Sequence, residues 1–359
     1  MAELHEYQCP ACGGALAFDV ELQKLKCPFC ESAYDISELS APEDPAAASP
    51  MPDRSGAAEW SQDEQSGLAT YVCQSCAGEI IADVTTGATT CPYCDSTVVM
   101  SGHFQGSLRP DSIIPFKLKK DKAIAALYNH YKGKILLPKT FKDKNKLNEI
   151  KGLYVPFWLY SGKADAEVHF DAKKTRSWSD SQYDYTETST YSAFRSGTVD
   201  YESIPVDASS MMQNELMDSI EPYHMTEAVD FNTAYLAGYL ADKFDEDEKV
   251  CFTRADTRVK NSTVNTLATT LTGYSSVTPA SSNVRFIDVS TKYMLLPVWL
   301  LNTTWNQKKY TFAVNGQTGK IVGELPIDKK KANLIFTAIA GGLFAIIATL
   351  YFLVQGGII

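Results

Sequence analysis

Eight of the nine cysteines in this 359-residue chain fall into four Cys-x-x-Cys pairs. Cys9, Cys12, Cys27 and Cys30 make one set, and Cys73, Cys76, Cys91 and Cys94 make the other. Fourteen residues separate the inner cysteines of each set, and the unit repeats at an offset of 64. Gly14 is matched by Gly78, and Glu31-Ser32 by Asp95-Ser96. Two residues between cysteines let a tight turn aim both sulfurs at one ion, and two such turns complete a tetrahedron with Zn–S distances of about 2.3 Å. A ribbon of ~30 residues buries too little core to fold alone, so metal binding is expected to supply the folding energy. The intervening residues suit a β-hairpin, 15–20 with 23–26 in the first unit and 80–84 with 88–90 around Gly87 in the second.

The expectation is two structural Zn2+ ions held by all eight cysteines. Four thiolates leave no coordination position open for water, which argues against a catalytic metal. A redox dithiol or an iron–sulfur cluster are the rival readings; duplicated spacing and the lack of a redox-fold pattern around the pairs favour zinc. Cys251 stands apart and reads as a small buried hydrophobe rather than a reactive thiol. The first ten residues are polar and acidic with no apolar run, so no signal peptide is expected and the thiols should stay in a reducing compartment.

At the other end, residues 333–354 form twenty-two positions without a charge. As a helix they would cover about 33 Å, enough to cross a hydrocarbon core. Lys329, Lys330 and Lys331 precede the run, and the positive-inside rule places them, with everything before them, in the cytoplasm. The alternative is a buried core helix. Ala338, Gly341, Ala345 and Ala348 line one face of the span and would permit close approach of a second membrane helix, hence a homo- or hetero-oligomer.

Residues 40–69, with Pro42, Pro45, Pro50 and Pro52 among Ala, Ser and acidic residues, read as a flexible linker. The expected organisation is therefore multidomain: zinc ribbon 1 over 1–39, the linker over 40–69, zinc ribbon 2 over 70–101, an α+β cytoplasmic body with antiparallel sheets over 102–328, and a basic flank with one C-terminal transmembrane helix over 329–359. Within the body, helices are expected over 121–131, 231–244 and 249–271 from their apolar spacing. Strands are expected over 178–191, 284–301 and 309–314, with Asn315-Gly316 as a turn. An internal echo at an offset of 141 relates residues 154–160 (YVPFWLY) to 295–301 (LLPVWLL), suggesting two related sheet halves with Trp158 and Trp299 in the core.

No Gly-rich nucleotide loop, His-Glu-x-x-His or Gly-x-Ser-x-Gly occurs, and the five histidines are scattered. No catalytic residue and no cofactor-binding residue can be nominated, so the chain is read as a non-enzyme.

The duplicated cysteine units, the two apolar Trp strands, Glu221-Pro222-Tyr223, and the strings FNTAYLAGYLADKFD and FAVNGQTGKIVGELP together resemble a bacterial family of tail-anchored double-zinc-ribbon proteins. Its members are often labelled primosomal helicase-like or TFIIB-type zinc-ribbon proteins. The resemblance implies a non-enzymatic role in envelope stress, beside phage-shock-protein-A-like and flotillin-like SPFH proteins, with recruitment of an SPFH partner to the membrane. The helicase label gains no support from these residues, because no Walker motif is present.

Charge separates the remaining readings. Residues 1–100 carry three basic and sixteen acidic residues, a net of −13, against +3 for the remainder of a chain whose total is −10. Each zinc with four thiolates adds about −2, so a phosphate backbone would be repelled by this head. A membrane-anchored adaptor for a protein partner is favoured over a membrane-tethered nucleic-acid binder. Residues 117–151 hold eleven lysines against Asp121, Asp143 and Glu149, a net of +8. The stretch reads as a solvated face or as a surface for an anionic leaflet.

Overall fold

The computed structural model describes residues 17–19, 24–26, 33–34, 59–83, 90–103 and 108–355. The chain divides into two compact units, Met1–Ser49 and Pro50–Ile359. In the first, β1 (Ala17–Asp19), β2 (Lys24–Lys26) and β3 (Ala33–Tyr34) form a three-stranded antiparallel sheet. The β1–β2 register aligns Ala17 with Lys26, inside the hairpin expected there. Cys9, Cys12, Cys27 and Cys30 lie outside the described residues.

In the second unit, the last part of the stretch read as linker is folded. Ser61 and Glu64 cap one another's backbone amides at 3.1 and 3.3 Å to start α1 (Gln62–Ser66). This is a capping box, a local signal that the acidic and small-residue composition of the stretch concealed. Glu64 also takes Arg109 at 2.9 Å.

The strands that follow are β4 (Leu68–Cys73), β5 (Glu79–Asp83), β6 (Val98–His103), β7 (Ser112–Ile113), β8 (Lys151–Ser179), β9 (Asp184–Asp207), β10 (Val229–Asp230), β11 (Leu240–Asp242), β12 (Ser276–Trp305), β13 (Lys308–Asn315) and β14 (Ile321–Val322). They share one large mixed sheet rather than purely antiparallel ones, because β7 runs parallel to β12 and β11 parallel to β8. Of the helices, α2 (Lys120–Tyr131) and α5 (Glu248–Thr269) fall where apolar spacing puts them, with the short α3 (Lys144–Leu147) and α4 (Asn214–Ile220) beside them. Asp247 starts α5 by accepting from the amides of Lys249 and Val250.

The helix expected over 231–244 does not form. Thr233–Leu236 makes a single tight turn, Gly238 takes φ +81°, and Leu240–Asp242 becomes β11. Pairing decides the outcome: β11 fits between β8, at Ala241 opposite Tyr154, and β5, at Ala241 opposite Ile81. Tertiary hydrogen bonds there outweigh a helical period already weakened by Gly238.

β8 and β12 pair over almost their whole length, and each changes character midway. Gly152 to Tyr160 is buried at every position, the pattern of a strand covered on both faces. Beyond irregularities at Tyr160/Gly162 and Ile287/Ser290, burial alternates, with Ala164, Ala166, Val168 and Phe170 facing Cys251, Phe252, Ala255 and Val259 of α5. Gly162 is required at this bend, since a Cβ would sit 2.7 Å from the Ile287 carbonyl oxygen.

The two segments of the 141 offset lie side by side, Tyr154 opposite Pro297. The likeness extends well past them. Leu240 pairs with Leu153 as Ser112 pairs with Met294. The amides of Asp245 and Glu246 bond the Ala208 carbonyl as those of Lys117 and Leu118 bond the Gly316 carbonyl. The Trp158 indole donates to Glu246 O at 2.9 Å, and the Trp299 indole to Leu118 O at 2.8 Å. Phe244 meets Trp158 edge-on, as Phe116 meets Trp299. The body is thus two β-α-β-β halves, β7-α2-β8-β9 and β11-α5-β12-β13, and each half places its first short strand against the other's long one.

The last helix, α6 (Lys329–Gln355), is the one described helix long and apolar enough to cross a membrane. An 18-residue stretch within Lys329–Thr349 has a mean hydropathy of 1.9, and none of it is buried against the rest of the chain.

Candidate metal centre

Ribbon 2 begins where β4 ends. Cys73 closes that strand, and its carbonyl accepts from the Ala77 amide while its own amide donates to Gly78 O. The second pair repeats the turn: Asp95 N donates to Cys91 O, and Cys91 N to Ser96 O. The residue after the second cysteine of each pair takes a left-handed backbone, Ala77 at φ +59° and Asp95 at φ +63°. Such turns point both sulfurs of a pair the same way.

The four sulfurs of Cys73, Cys76, Cys91 and Cys94 lie within 4.8 Å of one another. Cys73 Sγ is 3.4 Å from Cys94 Sγ, and Cys76 Sγ is 3.6 Å from Cys91 Sγ, close to the ~3.8 Å edge of a ZnS4 tetrahedron with 2.3 Å bonds. All four are free thiols. Burial holds the Cys91 thiol well above its usual range. At Cys94 burial works the same way, but hydrogen bonds from the Ser96 side chain and amide and the neighbouring Cys73 and Cys76 bring it down to about 6. A cluster of four soft sulfur donors at tetrahedral spacing fits zinc, which would be held by these residues and would supply cross-linking rather than chemistry.

Of the hairpin expected from 80–84 and 88–90, residues 84–89 lie outside the described residues. β5 pairs with β4, Tyr71 opposite Ile80, and Thr90 makes an isolated bridge to Thr97. Ile80, Ile81 and Ala82 are buried, and Leu68, Ala69 and Tyr71 of β4 supply apolar neighbours. Through β5 and β11 the ribbon is continuous with the sheet of the body.

Three body side chains grip the second cysteine turn. Lys151 Nζ reaches Cys91 O and Asp95 Oδ1, both at 2.8 Å. Asn302 Nδ2 donates to Pro92 O at 2.7 Å and to Tyr93 O at 3.2 Å. Lys309 Nζ also donates to Tyr93 O. These residues escape sequence reasoning because they are 56 or more positions from the turn they hold, with no local motif. Beneath the turn, Tyr93 Oη, Ser209 Oγ and Asp242 Oδ2 are buried without a hydrogen bond of normal geometry among the described residues. Burial pushes Asp242 up to about 7; the Ser209 and Tyr93 hydroxyls ease the shift and the charge of Asp245 adds to it.

A curated relative, the protein named "Uncharacterized protein YdjG" of Bacillus subtilis (strain 168), is 34% identical over 351 residues, 98% of each chain. The chain belongs to the YdjG family. The family model described as Trm112p-like protein matches residues 8–38, which span Cys9, Cys12, Cys27 and Cys30. No solved structure matches.

In this member of the YdjG family, Cys251 is buried in α5, its Sγ 3.5 Å from Asp207 O and its thiol pushed up to about 12 by burial. It is a core residue. Trp158 and Trp299 are buried as well, at 1% and 4% exposure, and serve packing rather than ligand stacking.

Proposed function

We propose that this chain is a membrane-anchored, non-enzymatic zinc-ribbon adaptor, cytoplasmic except for α6, that recruits or scaffolds a cytoplasmic or SPFH-type protein at the bacterial membrane in the response to envelope stress. The observation that carries the reading is α6. Its span Lys329–Thr349 carries an apolar stretch of 18 residues with no buried position, after the sheet body. Such surface is stable in lipid and costly in water. Lys329, Lys330 and Lys331 at its start favour a cytoplasmic body.

The non-enzymatic part is supported by the closed sulfur set, which would leave a bound ion no position for substrate. The adaptor part is supported by the acidic N-terminal hundred residues, net −13, which suit a basic protein surface. Because the second ribbon is gripped by Lys151, Asn302 and Lys309, capture is assigned to the N-terminal ribbon with its four cysteines.

Affinity purification of the full-length chain from detergent extracts tests this. The expected result is an SPFH-type or similar membrane-associated partner that is lost with Cys27→Ser/Cys30→Ser. Submicromolar binding of duplex DNA at physiological salt, with no protein partner, would overturn it in favour of a nucleic-acid binder.

A further inference from the structure

The loop after α2 lies against the foot of α6. Asp328 N donates to Leu136 O at 2.9 Å, and Ile135 and Leu136 line a groove of about 290 Å³ with Leu325, Pro326 and Ile327. Ile135 and Ile327 are 63% and 58% exposed there. Lys142 Nζ reaches back to Lys134 O at 3.0 Å and so holds Lys139–Lys142 beside the same loop. Asp328 itself is spent as the helix cap, accepting from the amides of Lys330 and Lys331. Among the described residues, Lys132, Lys134, Lys139 and Lys329 to Lys331 have no carboxylate partner. Other lysines nearby do: Lys146 has Glu149, Lys151 has Asp95 and Lys117 has Glu227.

We propose that this collar, Lys132, Lys134 and Lys139 around the exposed Ile135 and Ile327, docks on the anionic lipid headgroups of the membrane that α6 enters. The inference rests on the membrane reading of α6. Distance makes it specific. From Asp328 to Leu334, the first large apolar residue of the span, is six residues, or about 9 Å of helix. A loop bonded to Asp328 is therefore within about one Debye length of the headgroups, where lysine charge is felt. Charge complementarity selects the occupant: the collar belongs to a stretch of net +8 in a chain of net −10. Two exposed isoleucines set among lysines match the headgroup boundary, where apolar side chains are buried and ammonium groups meet phosphate.

Full-length protein in phospholipid nanodiscs is the test. One set is phosphatidylcholine alone, and in the other a third of the lipid is phosphatidylglycerol. Amide hydrogen exchange over residues 132–142 is expected to slow in the anionic discs by at least the roughly fivefold that one lysine contributes at such a surface. High salt should erase the difference in the unaltered protein, and Lys132→Glu/Lys134→Glu/Lys139→Glu should erase it at low salt. Equal exchange in the two lipids, with the chain held in both discs, overturns the collar while leaving the anchor intact. Failure to associate with either disc overturns the anchor and the collar together. Slowing produced by duplex DNA on phosphatidylcholine discs, and not by phosphatidylglycerol, would make this a nucleic-acid surface and refute the proposal.

Discussion

Replacing Cys91 and Cys94 with serine should unfold more than a ribbon. In a free-standing ribbon, loss of the metal melts only the residues around it. Here β4 and β5 carry Leu68, Ile80 and Ile81 in the main core clusters, and Val98 of β6 is buried with them. At about 2 kcal/mol for each large aliphatic side chain returned to water, these four are worth about 8 kcal/mol. That is the order of the whole stability of a domain, about 5–15 kcal/mol. The edge of β11 would also be stripped, since β5 is its neighbour opposite β8. The assay is hydrogen exchange of the full-length chain in detergent, following the amides of 153–159 and 294–300 in the centre of the sheet. The double substitution is expected to speed exchange there by orders of magnitude and to lower the thermal midpoint in a single transition. Cys27→Ser, in the separate first unit, should leave those amides unchanged. If the central amides of the Cys91/Cys94 variant stay protected while residues 68–103 exchange freely, the idea of a shared fold is wrong.

Asp242 gives a pH-dependent outcome. Its folded value of about 7 lies above its ordinary 3.8, so the folded state binds the extra proton and stability falls as pH rises from about 4 to about 7. Asp242→Asn should therefore stabilise at pH 8, by at most about 4 kcal/mol, and do little at pH 4, which denaturation at the two pH values would check. Arg254→Ala leaves the fully buried Asp207 without the 2.7 Å partner it has now, and should cost about 3–5 kcal/mol, or roughly 6–12 °C in Tm by calorimetry. Gly316→Ala would set a Cβ 2.7 Å from Phe116 and Pro297 and should cost about 1–3 kcal/mol in denaturant melts.

What sequence could reveal followed the range of each interaction. The cysteine turns are local, so their spacing was enough to nominate Cys73, Cys76, Cys91 and Cys94 as one cluster. The uncharged run of α6 and the apolar spacing of α2 and α5 are likewise written within a few residues. The strand at 240–242 was hidden because its identity depends on neighbours at Ile81 and Tyr154, far away in the chain. The same distance hid Lys151, Asn302 and Lys309, which are ordinary surface types until the sheet brings them to the metal turn. The duplication was half legible. Two tryptophan strands share letters, but Phe116 with Phe244, and the amide pairs that bond Ala208 and Gly316, are equivalent in geometry with little surrounding sequence to announce it.

The exchange of β7 and β11 between the two halves bears on how such a body could arise. A single β-α-β-β unit that traded its first strand with a second copy would form a swapped dimer of this kind, and joining the two copies in one chain would make the trade permanent. Neither half then holds all the strands it needs, since Ser112-Ile113 must wait for Met294-Leu295, some 180 residues later. A chain cut between α4 and β10 should yield two pieces that stay unfolded apart and regain the sheet only when made together.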